Sequence, residues 1–232
     1  MTFRTSIPPG LARDRVLCSR GRAVSLTPER LQLAVMAAAL PTPPPIIQHA
    51  IPFSARRRRE MAAYARRHYG IDDWRLRNPR VIVEHLTVND SLQATFNTFA
   101  PDVADPELHE KPGVCSHFAI GRDGQIWQFV PLGTMCRHTV GLNWTAIGIE
   151  HVGYTERDVL QNARQLRASL QLTRWLRCTF GIRRRDVIGH AESLSSPYHH
   201  ERVKRLRTQT HGDMRRASMK VYRSKLRRRG CG

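Results

Sequence analysis

Val81-Ile82-Val83-Glu84-His85 is the stretch that decides the fold. Consecutive β-branched residues read as a strand buried on both faces. Buried strands usually give way to turn residues; this one gives way to an imidazole. The same thing happens twice more downstream. Ile147-Gly148-Ile149 ends in Glu150, and Asp186-Val187-Ile188-Gly189 ends in His190. Thr210-His211-Gly212-Asp213 then adds another imidazole and another carboxylate. Two neutral imidazoles and one carboxylate make a three-ligand zinc set with an open fourth position, as a catalytic zinc requires. A further carboxylate can act as base toward the water at that position.

Working outward, Ser54 is placed to cap a helix running to about Tyr69, with Gly70 to stop it. Arg56 to Arg59 fall in its first turn, against the helix dipole, so the helix must rely on packing by Met61, Tyr64 and Ala65. Thr155 and Asp158 form a capping-box pattern at the start of the longest predicted helix. Its apolar stripe is Val159, Leu166, Leu170, Leu172 and Leu176, and Gly181 ends it. Arg122-Asp123-Gly124-Gln125-Ile126 reads as a hairpin. The order strand, hairpin, strand, helix, strand, helix predicts an α/β fold (mixed α+β): a central mixed β-sheet flanked by helices, with the zinc cleft at the strand ends. There is no internal repeat.

These landmarks, in this order, resemble the zinc-dependent N-acetylmuramoyl-L-alanine amidases of the type-2 amidase and peptidoglycan-recognition-protein superfamily. The resemblance runs from about Val81 to Leu226. It rests on the strand ending in His85, on Cys115-Ser116-His117-Phe118-Ala119-Ile120, and on the Asp123-Gly124 hairpin leading into Gln128-Phe129-Val130-Pro131. It continues through Arg137-His138-Thr139-Val140-Gly141, the run Ile147 to Glu150, and Ile188-Gly189-His190. The resemblance implies that His85 and His190 bind zinc, that Asp213 is the third ligand, and that Glu150 is the general base. His211 stands where the family often carries a lysine that contacts the reacting carbonyl oxygen; a protonated imidazole would serve there, a neutral one less well. The family spaces its second histidine and third ligand more closely than His190 and Asp213. Residues 193–209 therefore read as an insertion, a loop followed by a short basic helix. That insertion leaves His199, His200 and Glu201 as rival third ligands. The reaction implied is hydrolysis of the amide joining N-acetylmuramic acid to L-alanine, with peptidoglycan or a muropeptide as substrate. Asn89, Asn97, His138, Asn143 and Trp144 are the candidates for sugar and stem-peptide recognition. The competing reading on the same fold is a non-catalytic peptidoglycan-binding protein, which the joint presence of the ligands and Glu150 disfavours.

Other histidines and carboxylates read as structural. His117 lies in a strand. Glu84 and His151 adjoin key residues, but alternation turns them to the opposite face. Glu192 is expected to brace the loop after His190. The helical His-Glu-x-x-His signature of zinc peptidases is absent.

The 38 Lys and Arg against 19 Asp and Glu give a formal net charge of +19. Such an excess favours a polyanionic setting: nucleic acid, an anionic membrane or acidic cell-wall polymers. No zinc-finger spacing, aromatic RNA-reading motif or recognition helix is present, so nucleic acid is not the expected partner, which leaves an anionic membrane or anionic cell-wall polymers. A solvated charged surface accounts for much of the excess equally well.

Three regions are expected. Residues 1–45 carry basic Arg4, Arg13, Arg15, Arg20, Arg22 and Arg30, then the apolar run Leu31 to Leu40 and the Pro41 to Pro45 tract. This is the pattern of a secretory signal peptide and predicts export, with cleavage near Ala39 to Pro45; a loose tail with a short core helix is the alternative. Residues 46–80 read as a helical extension and residues 81–228 as the catalytic domain of a monomer. No stretch is long and apolar enough to span a membrane. Of the five cysteines, Cys18 falls in the signal-like region. Cys115 and Cys136 flank the hairpin, where either a bridge or two buried thiols would fit. Cys178 reads as core, and Cys231 has no evident partner.

Overall fold

The computed structural model describes residues 16–19, 22–25, 41–227 and 231. The chain divides into two compact units, Met1–Leu40 and Pro41–Gly232. In the first, β1 (Val16–Ser19) and β2 (Arg22–Ser25) pair antiparallel. The apolar run expected to form the signal segment lies outside the described residues.

The second unit is built on a six-stranded sheet with the order β3-β6-β5-β7-β4-β8. The strands are β3 (Ile47–Gln48), β4 (Val81–Leu86), β5 (Phe118–Ile120), β6 (Ile126–Gln128), β7 (Ala146–His151) and β8 (Val187–Gly189). β5 and β6 pair antiparallel; every other neighbouring pair is parallel. The sheet is thus mixed and flanked by helices, as the sequence predicts. Every residue of β7, and every residue of β4 up to His85, is buried, which explains why both read as unbroken apolar runs rather than alternating ones.

Residues 46–80, expected as an extension, share this sheet and core. β3 pairs with β6. Helix α1 (Ala55–Tyr69) places Met61, Tyr64 and Ala65 in one cluster with Ile82, Phe118, Ile147 and Leu172. Ser54 accepts a hydrogen bond from Arg57 N (3.2 Å), and Gly70, at φ 75°, ends the helix in a conformation that glycine adopts without strain. The unfavourable arginines of the first turn are accommodated individually. Arg57 turns inward and is fully buried, donating to the carbonyls of Pro52, Phe99, Ala100, Gly113 and Val114.

Helix α2 (Leu92–Phe99) is capped by Ser91. The long helix expected from Thr155 is instead two helices, α3 (Glu156–Gln161) and α4 (Ala163–Phe180). Asn162 is the reason. Its backbone leaves helical geometry (φ −76°, ψ 102°), and its side-chain oxygen accepts from Arg164 N and Gln165 N, so it ends one helix and caps the next. Helix α5 (Arg216–Arg227) buries Met219, Tyr222 and Leu226. The insertion at 193–209 holds no α-helix: it takes in the end of a 3-10 turn, His190–Ser195, and a second, Lys204–Leu206.

Two disulfides are present. Cys115 and Cys136 are bridged. Cys178 is bonded to Cys231 rather than being a free core thiol, tying α4 to the chain beyond α5 across 53 positions. Among the described residues, no helix is long and apolar enough to cross a membrane.

Candidate active site

Strand order and register bring the site together. β7, β4 and β8 are adjacent and parallel, so their carboxyl ends lie in one row. His85 is in register with Glu150, and Glu84 with Gly189, which sets His190 beside His85. Parallel neighbours in register project to the same face, and ligands of open α/β sheets gather outside the carboxyl ends of the strands. The residues one position away face the other side. Glu84 accepts from Thr173 Oγ1 (2.8 Å), and His151 reaches Ser169 Oγ (2.8 Å). Beyond the insertion the chain returns beside β8: Ala191 N donates to the Asp213 carbonyl (3.0 Å), and Thr210 Oγ1 donates to the His190 carbonyl (3.0 Å). Asp213 Oδ2 accepts from Leu86 N at 3.1 Å.

His85, His190 and Asp213 form a single cluster whose ligand atoms all lie within 4.8 Å of one another. His85 Nδ1 is 3.1 Å from His190 Nδ1 and 3.7 Å from Asp213 Oδ2; His190 Nδ1 is 3.3 Å from Asp213 Oδ1. A tetrahedral ion with bonds of about 2.05 Å to nitrogen and oxygen needs ligand separations of about 3.3 Å, so this donor set fits zinc. Burial pushes the imidazole of His85 well below its usual range, with His190 and His138 reinforcing the shift. It therefore offers a neutral lone pair. Its other nitrogen, Nε2, lies 3.0 Å from His138 Nδ1 and 3.4 Å from Thr139 Oγ1, partners of the kind that fix a ligand ring.

Glu150 ends β7 in the same cleft. Burial first, and the charge of Asp213 second, raise its carboxyl to about 8, and its Oε2 has no hydrogen-bond partner among the described residues. A buried, unpaired carboxyl with a raised pKa has the properties of a general base held in reserve. His211 stacks on His190 (centroids 4.7 Å apart), and its Nε2 is 2.9 Å from Glu107 Oε2.

The cleft is open to solvent, and His85, His138, Asn143, Glu150, His190, His211 and Asp213 all line it. Asn143 is a buried brace there, accepting from the backbone of His138 and Thr139. The other three proposed recognition residues lie elsewhere. Asn89 is engaged with Thr87, Ser91 and Thr95 in the turn after β4. Asn97 is on the exposed side of α2, accepting from Gln93. Trp144 packs against the core and lines a separate cavity with Tyr69 and His199. His199, His200 and Glu201 are outside the ligand cluster; Glu201 instead meets His68. His117 is structural, accepting from Gly148 N and bonding the Thr134 carbonyl, and Glu192 accepts from Gly189 N and Arg223.

One wall of the cleft had no signal in the sequence. Asp105, Glu107 and Leu108 line it from the long loop after α2. Arg137, almost fully buried, holds that loop by pairing with Asp105 (2.7 Å) and donating to the carbonyls of Glu110 and Pro112. A buried arginine with this many partners is what would have revealed the loop, but nothing in an irregular Pro-containing stretch names its partner in advance.

Comparison with known proteins gives the family. A search of curated proteins returns no match. Among solved structures, the endolysin N-acetylmuramoyl-L-alanine amidase LysCS from Clostridium intestinale URNW is similar, at 20% identity over 80% of this chain and 97% of that one, with a TM-score of 0.51. A mutant form of PlyL matches at 14% identity over 79% of this chain and 99% of that one, also at 0.51. Both likenesses are of fold. The family model Amidase_2, described as N-acetylmuramoyl-L-alanine amidase, matches residues 75–209 and so takes in β4 to β8, His85, Glu150 and His190. With more than half of its length under that match, this chain belongs to the N-acetylmuramoyl-L-alanine amidase family Amidase_2.

Proposed function

We propose that the protein is a zinc-dependent hydrolase of the amide bond between N-acetylmuramic acid and the L-alanine of peptidoglycan stem peptides. The observation that carries this reading is the cluster of His85, His190 and Asp213 on the floor of a cleft, with Glu150 beside it. The three ligands would hold one zinc ion, which when bound polarises the substrate carbonyl and lowers the pKa of water. Glu150 takes a proton from the attacking water. The water oxygen bonds to the lactyl carbonyl carbon, the carbon–nitrogen bond breaks, and Glu150 returns the proton to the departing amine of L-alanine. A protonated His211, its Nε2 held by Glu107, would donate from Nδ1 to the carbonyl oxygen as it becomes negative. His138 keeps His85 oriented through Nε2. A muramoyl peptide of defined sequence, incubated with the protein, should yield a peptide with a free L-alanine amine, and a chelator should stop its release. Cleavage at any other bond, or cleavage that survives removal of metal, would refute the reading.

We further propose an extracellular or cell-wall location, for a monomer acting on the wall. The basic-then-apolar pattern before Pro41 and the two disulfides support it, since disulfides persist in oxidising compartments. N-terminal sequencing of the native protein should begin after Ala39 to Pro45; an intact Met1 on a protein retained inside the cell would overturn it.

A further inference from the structure

We infer that the insertion segment 201–207, with the last turn of α1, is a docking surface for a linear phosphodiester polymer of the cell wall. The inference rests on the peptidoglycan reading above and extends it to a second, non-catalytic contact.

The segment is fastened in place. Arg202 N donates to the His68 carbonyl at 2.9 Å. Beneath it, His68 Nδ1 lies 2.9 Å from Glu201 Oε2, with both side chains fully buried. Arg207 Nε donates to the Glu201 carbonyl at 3.1 Å. These anchors hold an exposed group of cations on one surface: Arg66 and Arg67 from α1, and Arg202, Lys204, Arg205 and Arg207 from the insertion.

Their charge is not balanced. Arg66 pairs with Asp72, while Arg67 and Arg205 share the single carboxylate of Glu110. Glu201 is turned inward to His68. Arg202, Lys204 and Arg207 make no ion pair with any described residue. Arg207 is held by main-chain carbonyls, which fix a guanidinium without cancelling it.

The surface adjoins the cleft. Glu110 follows Asp105, Glu107 and Leu108 in the loop that forms one cleft wall. Gln209, just past Arg207, lines the cleft and donates to Glu107 Oε1 at 3.1 Å. A chain bound along these cations would lie beside the cleft mouth.

The chemistry selects the occupant. Guanidinium groups match phosphate oxygens in a fixed fork and stay charged at any working pH. A polymer with one permanent negative charge per repeat can bridge several such groups, whereas a neutral glycan strand cannot. Arg207, its guanidinium already held by two carbonyls, loses little freedom on binding.

The test is co-sedimentation with purified walls across a salt series. The walls are used intact or stripped of phosphodiester polymer, and inorganic polyphosphate and duplex DNA serve as competitors. Arg202→Gln/Lys204→Gln/Arg205→Gln should bind intact walls at least tenfold more weakly at low salt, with a log-affinity against log-salt slope flatter by about two. Arg157→Gln/Lys220→Gln/Lys225→Gln removes the same charge from exposed positions on α3 and α5 and should bind within twofold of wild type. Lys204→Gln alone, whose ammonium has no partner among the described residues, should shift affinity in the same direction if the triple variant folds poorly. Cleavage of a small soluble muramoyl peptide should be unchanged in all three variants. Undiminished binding by the insertion variants, equal loss in the control, full binding to stripped walls, or stronger competition by DNA than by polyphosphate would each overturn the inference. Failure of the wild type to cleave the soluble peptide would instead count against the amidase reading, because wall binding is measured separately.

Discussion

Replacing Glu150 by Gln should make the metal-free protein more stable in alkali while disabling it. Glu150 is only 8% exposed and its Oε2 has no partner among the described residues. Burial, then Asp213, raise its carboxyl from 4.5 to about 8. A carboxyl whose folded pKa exceeds its unfolded value holds its proton more tightly when folded. Below pH 4.5 it is protonated in both states and costs nothing. As pH rises toward 8 the unfolded chain ionises freely and the folded one resists, so stability falls. At 1.36 kcal/mol per unit, the loss reaches about 3 kcal/mol by pH 7 and about 5 kcal/mol above pH 8. Glutamine has the same shape and no charge, so the variant should lack this slope. Urea unfolding of chelator-treated wild type and Glu150→Gln at pH 5, 7 and 9 measures the difference, in which all other titrating groups cancel. The variant should gain on wild type by about 3 to 5 kcal/mol between pH 5 and pH 9. Its turnover should fall by about a hundredfold or more, the scale of a lost general base. Parallel pH profiles would refute the burial argument, and wild-type turnover would remove Glu150 from the chemistry.

Other consequences concern the frame that holds the site. Cys178→Ser should lower stability by about 4 kcal/mol, the chain-entropy value for a 53-residue separation, measured by urea unfolding without reductant; a change under about 1 kcal/mol would mean that the bridge constrains nothing. Arg57→Ala strips several carbonyls of a buried donor and should cost about 3 to 5 kcal/mol in the same assay. Asn162→Ala removes the cap of α4 and should cost about 1 kcal/mol with zinc content unchanged.

The sheet and the row of polar strand ends were legible because they rest on local pattern. β4, β7 and β8 are short apolar runs, and their polar last residues stand out against them. Register then does the rest: once β4 is flanked by two parallel strands, His85, Glu150 and His190 have to meet. What the sequence hid depends on contacts between distant residues. Asn162 sits inside a continuous helical pattern, and only its side-chain bonds to Arg164 and Gln165 split the helix. The partner of Cys178 lies far along the chain at Cys231, beyond any spacing rule. Asn89 and Trp144 are near the cleft in sequence but face a turn and the core, because hydrogen-bonding and apolar partners claimed them first. The cleft wall at 105–108 is irregular backbone positioned by Arg137, and irregular backbone leaves no periodic trace.

If His85, His190 and Asp213 hold one zinc ion, removing any one of them must release it. Elemental analysis of the purified protein and of His85→Ala, His190→Ala, Asp213→Ala and His200→Ala, alongside circular dichroism to check folding, tests it most directly. About one zinc per folded chain is expected in wild type and in His200→Ala, the stoichiometry of a single three-ligand catalytic site, with loss of zinc in the other three. Zinc retained in folded Asp213→Ala but lost from His200→Ala would move the third ligand into the insertion and contradict it.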